Sequence, residues 1–261
     1  MITVVKLTKE ESKKIFDKCE ISPINIDVAY QLEKNSEDYI YETAFNILLD
    51  YEMYCKNFIR TYIPHISANN YDLNEQICKV INKKYTKENF NAFDLLVLSN
   101  QENIYRYGKP INALSTISEY VDDDYQFDNM EKDLAIMQKG VEMFISKINK
   151  NDYIFQNPDF TNKNLNIKGD GDYIINDILF EVKCAQDDAI STHTIQQLMI
   201  YYLLNQSLPP IRKLNINKFG YFNPLKGQYH IWEIVIPSIV KDNWARYASH
   251  QMILNSQCLF V

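Results

Sequence analysis

The sequence predicts an α+β fold, mostly helical in its first half and rich in short strands in its second. Three observations carry this. Between positions 37 and 62 the apolar residues Ile40, Ala44, Ile47, Tyr51, Tyr54 and Phe58 recur at helical spacing. Beyond position 150, "DYIFQN", "INKFGYF" and "QYHIWEIVI" alternate or run apolar over short lengths bounded by turn residues. Between those strands, "STHTIQQLMIYYLLNQ" returns to a helical pattern.

Taken in order, the first stripe is a helix stopped near Pro64. "YDLNEQICKVINKKY" and "TKENFNAFDLLVLSN" read as two shorter helices opened by Asp72 and Thr86 as caps. The acidic run "EYVDDDYQFDN" lacks the glycine and spacing of a calcium loop and reads as a solvated linker. It divides the chain into a helical N-terminal region, 1–125, and a second domain, 126–261. "NMEKDLAIMQKGVEMFISKINK" is an amphipathic helix with Leu134, Met137, Val141, Phe144 and Ile148 on one face. The strand "DYIFQN" follows, then two strands within "KGDGDYIINDILFEVKCA". The next helix is capped near Ser191 or Thr192 and ended by Pro209 and Pro210. "NPLKG" turns between the last two strands, and a final helix has Ser238 at its cap. The second half is therefore α-β-β-β-α-β-β-α.

A chain of 261 residues can bury a substantial core. Its net charge of −7 argues against a dedicated nucleic-acid coat, whose affinity rests on neutralising phosphate. An enzyme that visits nucleic acid needs only a local basic patch, and residues 79–87 and 211–218 are the best candidates. Five cysteines without C-x-x-C spacing fit free thiols in a reducing cytosol. With no signal sequence and no apolar run of membrane-spanning length, the expectation is a soluble cytoplasmic protein without a membrane partner. His65, His230 and His250 show no ligand spacing, and His193 lies near the start of a helix.

The chemistry concentrates between Gly169 and Ala185. A hairpin turning at Asn176-Asp177 pairs Ile175 with Ile178 and Tyr173 with Phe180. Asp172 then falls opposite Glu181, and Asp170 opposite Lys183. The period of two puts Asp170, Asp172, Glu181 and Lys183 on one face, and Tyr173, Ile175, Phe180 and Val182 on the other. Facing carboxylates repel unless a cation lies between them. Magnesium accepts such a pair, completing its shell with water and substrate phosphate. Lys183, on the same face, is placed to orient or deprotonate water or to steady charge on phosphate.

These residues form an ordered set. G-x-x-D at Gly169–Asp172, E-V-K at Glu181–Lys183 and Q-x-x-x-Y at Gln197–Tyr201 resemble the PD-(D/E)xK nuclease superfamily, particularly its RecB-like and lambda-exonuclease-like branch. The resemblance spans about residues 129–236. It implies a restriction-endonuclease-like core, α-β-β-β-α-β, with a mixed sheet flanked by helices. It also implies that Asp172, Glu181 and the Val182 carbonyl ligate Mg²⁺ or Mn²⁺, and that Lys183 serves the attacking water. Gln197 and Tyr201, one turn apart, would brace the site or contact the nucleic-acid backbone.

The family's first helix often adds a ligand. Glu142 is the candidate here, with Glu131 a competitor and a solvated carboxylate the plain alternative. The implied activity is metal-dependent phosphodiester hydrolysis, with DNA favoured over RNA, in phage defence, a mobile element or recombination. The N-terminal region would then supply substrate shape, a protein partner's surface or an oligomer contact. The alternative is a non-catalytic module of the same fold that binds or assembles.

Overall fold

The computed structural model describes residues 1–35, 38–59, 82–83, 89–107 and 124–257. The chain runs β1 (Ile2–Thr3), α1 (Val4–Glu10), α2 (Ser12–Ile15), β2 (Ile24–Asn25), α3 (Asp38–Cys55), α4 (Ala92–Tyr107) and α5 (Asp124–Ser146). It continues through β3 (Ile154–Gln156), β4 (Ile167–Lys168), β5 (Tyr173–Ile175), β6 (Ile178–Val182), β7 (Ala189–Ile190) and α6 (Thr192–Gln206). β8 (Lys218–Asn223), β9 (Gln228–Glu233) and α7 (Ser238–Gln257) complete it. The expected α-β-β-β-α-β-β-α order is present, with the two-residue strands β4 and β7 and the short 3-10 helices Lys163–Leu165 and Pro210–Arg212 inserted in it.

The main sheet has the order β3-β5-β6-β8-β9. β6 and β8 are parallel, and the other neighbours are antiparallel. A parallel pair needs a crossover, which α6 supplies. The fold is therefore α+β, with a mixed sheet between helical layers.

Alternation along the strands divides the core in two. Tyr173, Ile175, Phe180, Val182 and Phe222 pack with buried residues of α3, α4 and α5. Ile174, Leu179, Phe219 and Tyr221 pack on the other face with α1, α6 and α7. Gly220 is the close approach in this sheet: a Cβ there would lie 2.4 Å from Phe180 Cδ1, so the Phe180 ring occupies the space a side chain would take.

Parts of the N-terminal region pack on the second half of the chain. β1 pairs in parallel with β4, and β2 antiparallel with β7. Val4, Leu7, Ile15 and Phe16 enter the α6–α7 core, whereas α3 and α4 form the opposite layer. The dividing line at residue 125 falls inside α5.

Several local expectations need correcting. α3 ends at Cys55, well before Pro64, because Asn57 turns left-handed at φ 60° and Phe58 N–H closes back on the Met53 carbonyl at 2.8 Å. α4 is opened by Asn91: Asp94 N–H donates to Asn91 Oδ1 at 2.9 Å, and Asn91 N–H donates to Asp94 Oδ2 at 2.8 Å. Asp72 and Thr86, and "YDLNEQICKVINKKY" apart from residues 82–83, lie outside the described residues. The acidic stretch is helical from Asp124 onward. Ser238 is the first residue of α7 rather than its cap, while Ser191 caps α6 by accepting from Thr194 N–H. No helix among the described residues is long and apolar enough to cross a membrane.

Candidate functional site

The hairpin has the expected register: Ile175 pairs with Ile178, Ile174 with Leu179 and Tyr173 with Phe180. Asn176 takes the left-handed φ of 58° and is tied down, its N–H donating to the Tyr153 carbonyl at 2.8 Å. Beyond Tyr173 the two strands part. Continued pairing would set Gly171 against Val182 with both main-chain bonds exchanged. Instead Gly171 N–H donates to the Pro158 carbonyl at 3.1 Å, and Val182 N–H donates to Asp172 Oδ2 at 2.7 Å. One strand residue projects its N–H and C=O to the same side, so the Val182 carbonyl faces this parting without Gly171 as its ladder partner.

Asp172, Glu181 and Lys183 meet where the strands separate. Glu181 is 2% exposed. Its Oε1 accepts from Lys183 Nζ at 2.8 Å and from Gln197 Nε2 at 2.9 Å. Its Oε2 is buried and has no hydrogen-bond partner among the described residues. Gln197 and Tyr201 lie one turn apart on α6, which packs over this face of the sheet. Gln197 Nε2 also donates to Tyr201 Oη at 3.0 Å, and Tyr201 Oη donates to the Asp170 carbonyl at 2.7 Å. Both side chains are buried, so they brace the carboxylate and the parted strand rather than presenting themselves to a ligand.

Asp170 does not pair with Lys183 as expected. It bridges Asp159 through the main chain, and its carboxylate lies 3.4 Å from Lys168 Nζ, because this segment stays with residues 157–160 while β6 diverges. Lys183 turns instead to Glu42 of α3, at 3.3 Å. Sequence reading did not single out Glu42, since nothing in a helical stripe at 40–58 marks a partner 141 residues away. Its one signal is a carboxylate between the buried residues Tyr41 and Ala44. Glu142 is exposed on α5 and makes no hydrogen bond or ion pair among the described residues; Glu131 is exposed as well.

The electrostatics follow from this packing. Burial, with added repulsion from Asp172 and Glu42, pushes the Glu181 carboxyl up to about 8 against the pull of Lys183. Burial works against the charge of Lys183, yet Glu181, Glu42 and Asp172 together hold its ammonium well above the usual lysine range. A lysine so held keeps its proton and is a poor base. Burial, then Lys9 and Lys183, lower the pKa of His193.

Among the described residues no group of three or more His, Cys, Asp or Glu side chains is arranged to hold a metal ion by itself. The donor set suits a different kind of site. Two carboxylates, a main-chain carbonyl facing them and a buried oxygen without a partner fit a hard cation that keeps water and takes a substrate oxygen. In comparisons with known proteins, no family model, no curated protein and no solved structure matches this chain.

Proposed function

We propose that the protein is a divalent-metal-dependent nuclease with a restriction-endonuclease-like core, acting on phosphodiesters of DNA. The observation that supports this best is the convergence of Asp172, Glu181 and Lys183 at the parting of β5 and β6, over the buried Gln197–Tyr201 brace. The preference for DNA rests on the family resemblance.

In this reading Asp172, Glu181 and the Val182 carbonyl would hold Mg²⁺ or Mn²⁺. When bound, the ion polarises a phosphoryl oxygen and makes its water more acidic. Lys183, protonated, orients the attacking water and offsets negative charge developing on phosphorus. Gln197 fixes the Glu181 rotamer by donating to Oε1, and Tyr201 fixes Gln197 from below. Water attacks phosphorus and gives up a proton to solvent, the bond to the 3′ oxygen breaks, that oxygen leaves and takes up a proton, and the product keeps a 5′-phosphate.

The test uses purified protein with circular and linear duplex DNA, single-stranded DNA and RNA, in Mg²⁺, Mn²⁺ or EDTA, beside Lys183→Ala. The expected result is metal-dependent DNA cleavage that EDTA and Lys183→Ala abolish. Cleavage that survives either treatment overturns the mechanism. Cleavage of RNA alone corrects the substrate, and failure on every substrate favours a binding module.

A further inference from the structure

Lys183 is shared between two carboxylates of unlike character. Its Nζ lies 2.8 Å from Glu181 Oε1 and 3.3 Å from Glu42 Oε1. Glu181 stands on a central strand at 2% exposure, whereas the Glu42 side chain, on α3, is 38% exposed. α3 is anchored beside the site, because Asp50, eight residues after Glu42, accepts from Tyr173 Oη at 2.5 Å and Tyr173 directly follows Asp172. Glu42 is therefore held at a fixed place relative to the parted strands.

A cation bound to Glu181 shares a buried carboxylate with an ammonium already hydrogen-bonded to it. Two positive centres on one desolvated carboxylate repel strongly. Lys183 must weaken its hold on Glu181 while remaining near the reacting phosphate. Its flexible stem and rotatable ammonium permit this, provided a second anion receives it. We propose that Glu42 is that receiver: on metal loading, the Lys183 ammonium transfers its main pairing from Glu181 to Glu42 and stays charged beside the substrate position. With the ion bound and all three carboxylates ionised, the two charges of the ion and the one of Lys183 match the three of Asp172, Glu181 and Glu42. Without Glu42 the loaded site would carry a surplus positive charge. Glu42 is thus a positioning residue that acts through Lys183, an inference that rests on the nuclease reading of the site.

The test is Mn²⁺ binding alone, by titration calorimetry and by the electron paramagnetic resonance of free Mn²⁺. It uses the full chain as wild type, Glu42→Gln, Lys183→Met and the double variant, with circular dichroism confirming that each folds. Glu42→Gln is expected to weaken Mn²⁺ binding about tenfold in the wild-type background, within the range of coupled neighbours, and to lose most of that effect beside Lys183→Met. Equal weakening in both backgrounds makes Glu42 a direct ligand and overturns the proposal, as does an unchanged affinity in both. Absence of Mn²⁺ binding by the folded wild type overturns the metal site itself, and with it the nuclease reading. These outcomes separate the two failures.

Discussion

Asp50 gives a test of the layer that α3 forms against the sheet. Burial pushes its carboxyl up from 3.8 to about 6, with Glu102 and Asp172 adding to the rise, although the Tyr173 and Gln156 side chains donate to it. A carboxyl with a raised folded pKa binds its proton more tightly in the native state than in the unfolded chain. Stability is therefore fullest below the unfolded value and falls as pH rises through the interval from 3.8 to about 6. At about 1.4 kcal/mol per pH unit, ionising Asp50 costs about 3 kcal/mol by neutral pH. Asp50→Asn removes the charge, and its amide oxygen still accepts from the Tyr173 hydroxyl. Urea unfolding of both proteins, from about pH 4 to about pH 7.5, reads the difference. The advantage of the variant should grow by about 2.5 kcal/mol over that range, almost all of it gained below pH 6.5 or so. An advantage that stays constant with pH, or a variant less stable at neutral pH, would refute the burial argument.

Two further substitutions probe the site's supports. Gln197→Leu removes the donor that links Glu181 to Tyr201; leaving buried acceptors unmet should cost about 1–3 kcal/mol in urea unfolding, with nuclease activity lost as well. Should stability and activity both stay at wild-type levels, the brace has no role. Gly220→Ala sets a Cβ 2.4 Å from Phe180 Cδ1 and forces the ring next to Glu181 to move. Overpacking of this kind costs about 1–3 kcal/mol, visible as a lowered Tm, and an unchanged Tm would contradict the packing described here.

The hairpin was legible because its two determinants are local. The Asn176-Asp177 turn and the period-two alternation together set the register, and the pairing of Tyr173 with Phe180 follows. The separation beyond Tyr173 was not legible, since it depends on residues 157–160 competing for the Gly171 N–H, a contest that no short-range pattern encodes. That contest is why Asp170 lies beside Asp159 and Lys168 rather than opposite Lys183. The Gln197 and Tyr201 spacing gave their shared helix face correctly, whereas their burial required knowing which layer α6 joins. Glu142 follows Val141 by one residue, about 100° around the helix, so the apolar stripe that faces the core already turns Glu142 away from it. Glu42 depends on a contact 141 residues distant, and the docking of Ile2–Thr3 on Ile167–Lys168 rests on a two-residue strand too short to leave a periodicity.

The docking of the first helices has a consequence for how the chain is made. Asn243 Nδ2 donates to the carbonyls of Ile15 at 3.2 Å and Asp17 at 3.1 Å, and the Ile15 contact closes across 228 positions. At ribosomal rates of about 5–20 residues per second, Ile15 emerges roughly ten to fifty seconds before Asn243 exists. Throughout that interval Val4, Leu7, Ile15 and Phe16 lack the α7 side chains that cover them in the native state. Closing such a distant contact is also slow once the chain is complete, because the loop entropy is lost before the packing compensates it. The nascent protein therefore carries an apolar N-terminal surface for most of its synthesis, and chaperones that bind such surfaces have the whole of that time to act.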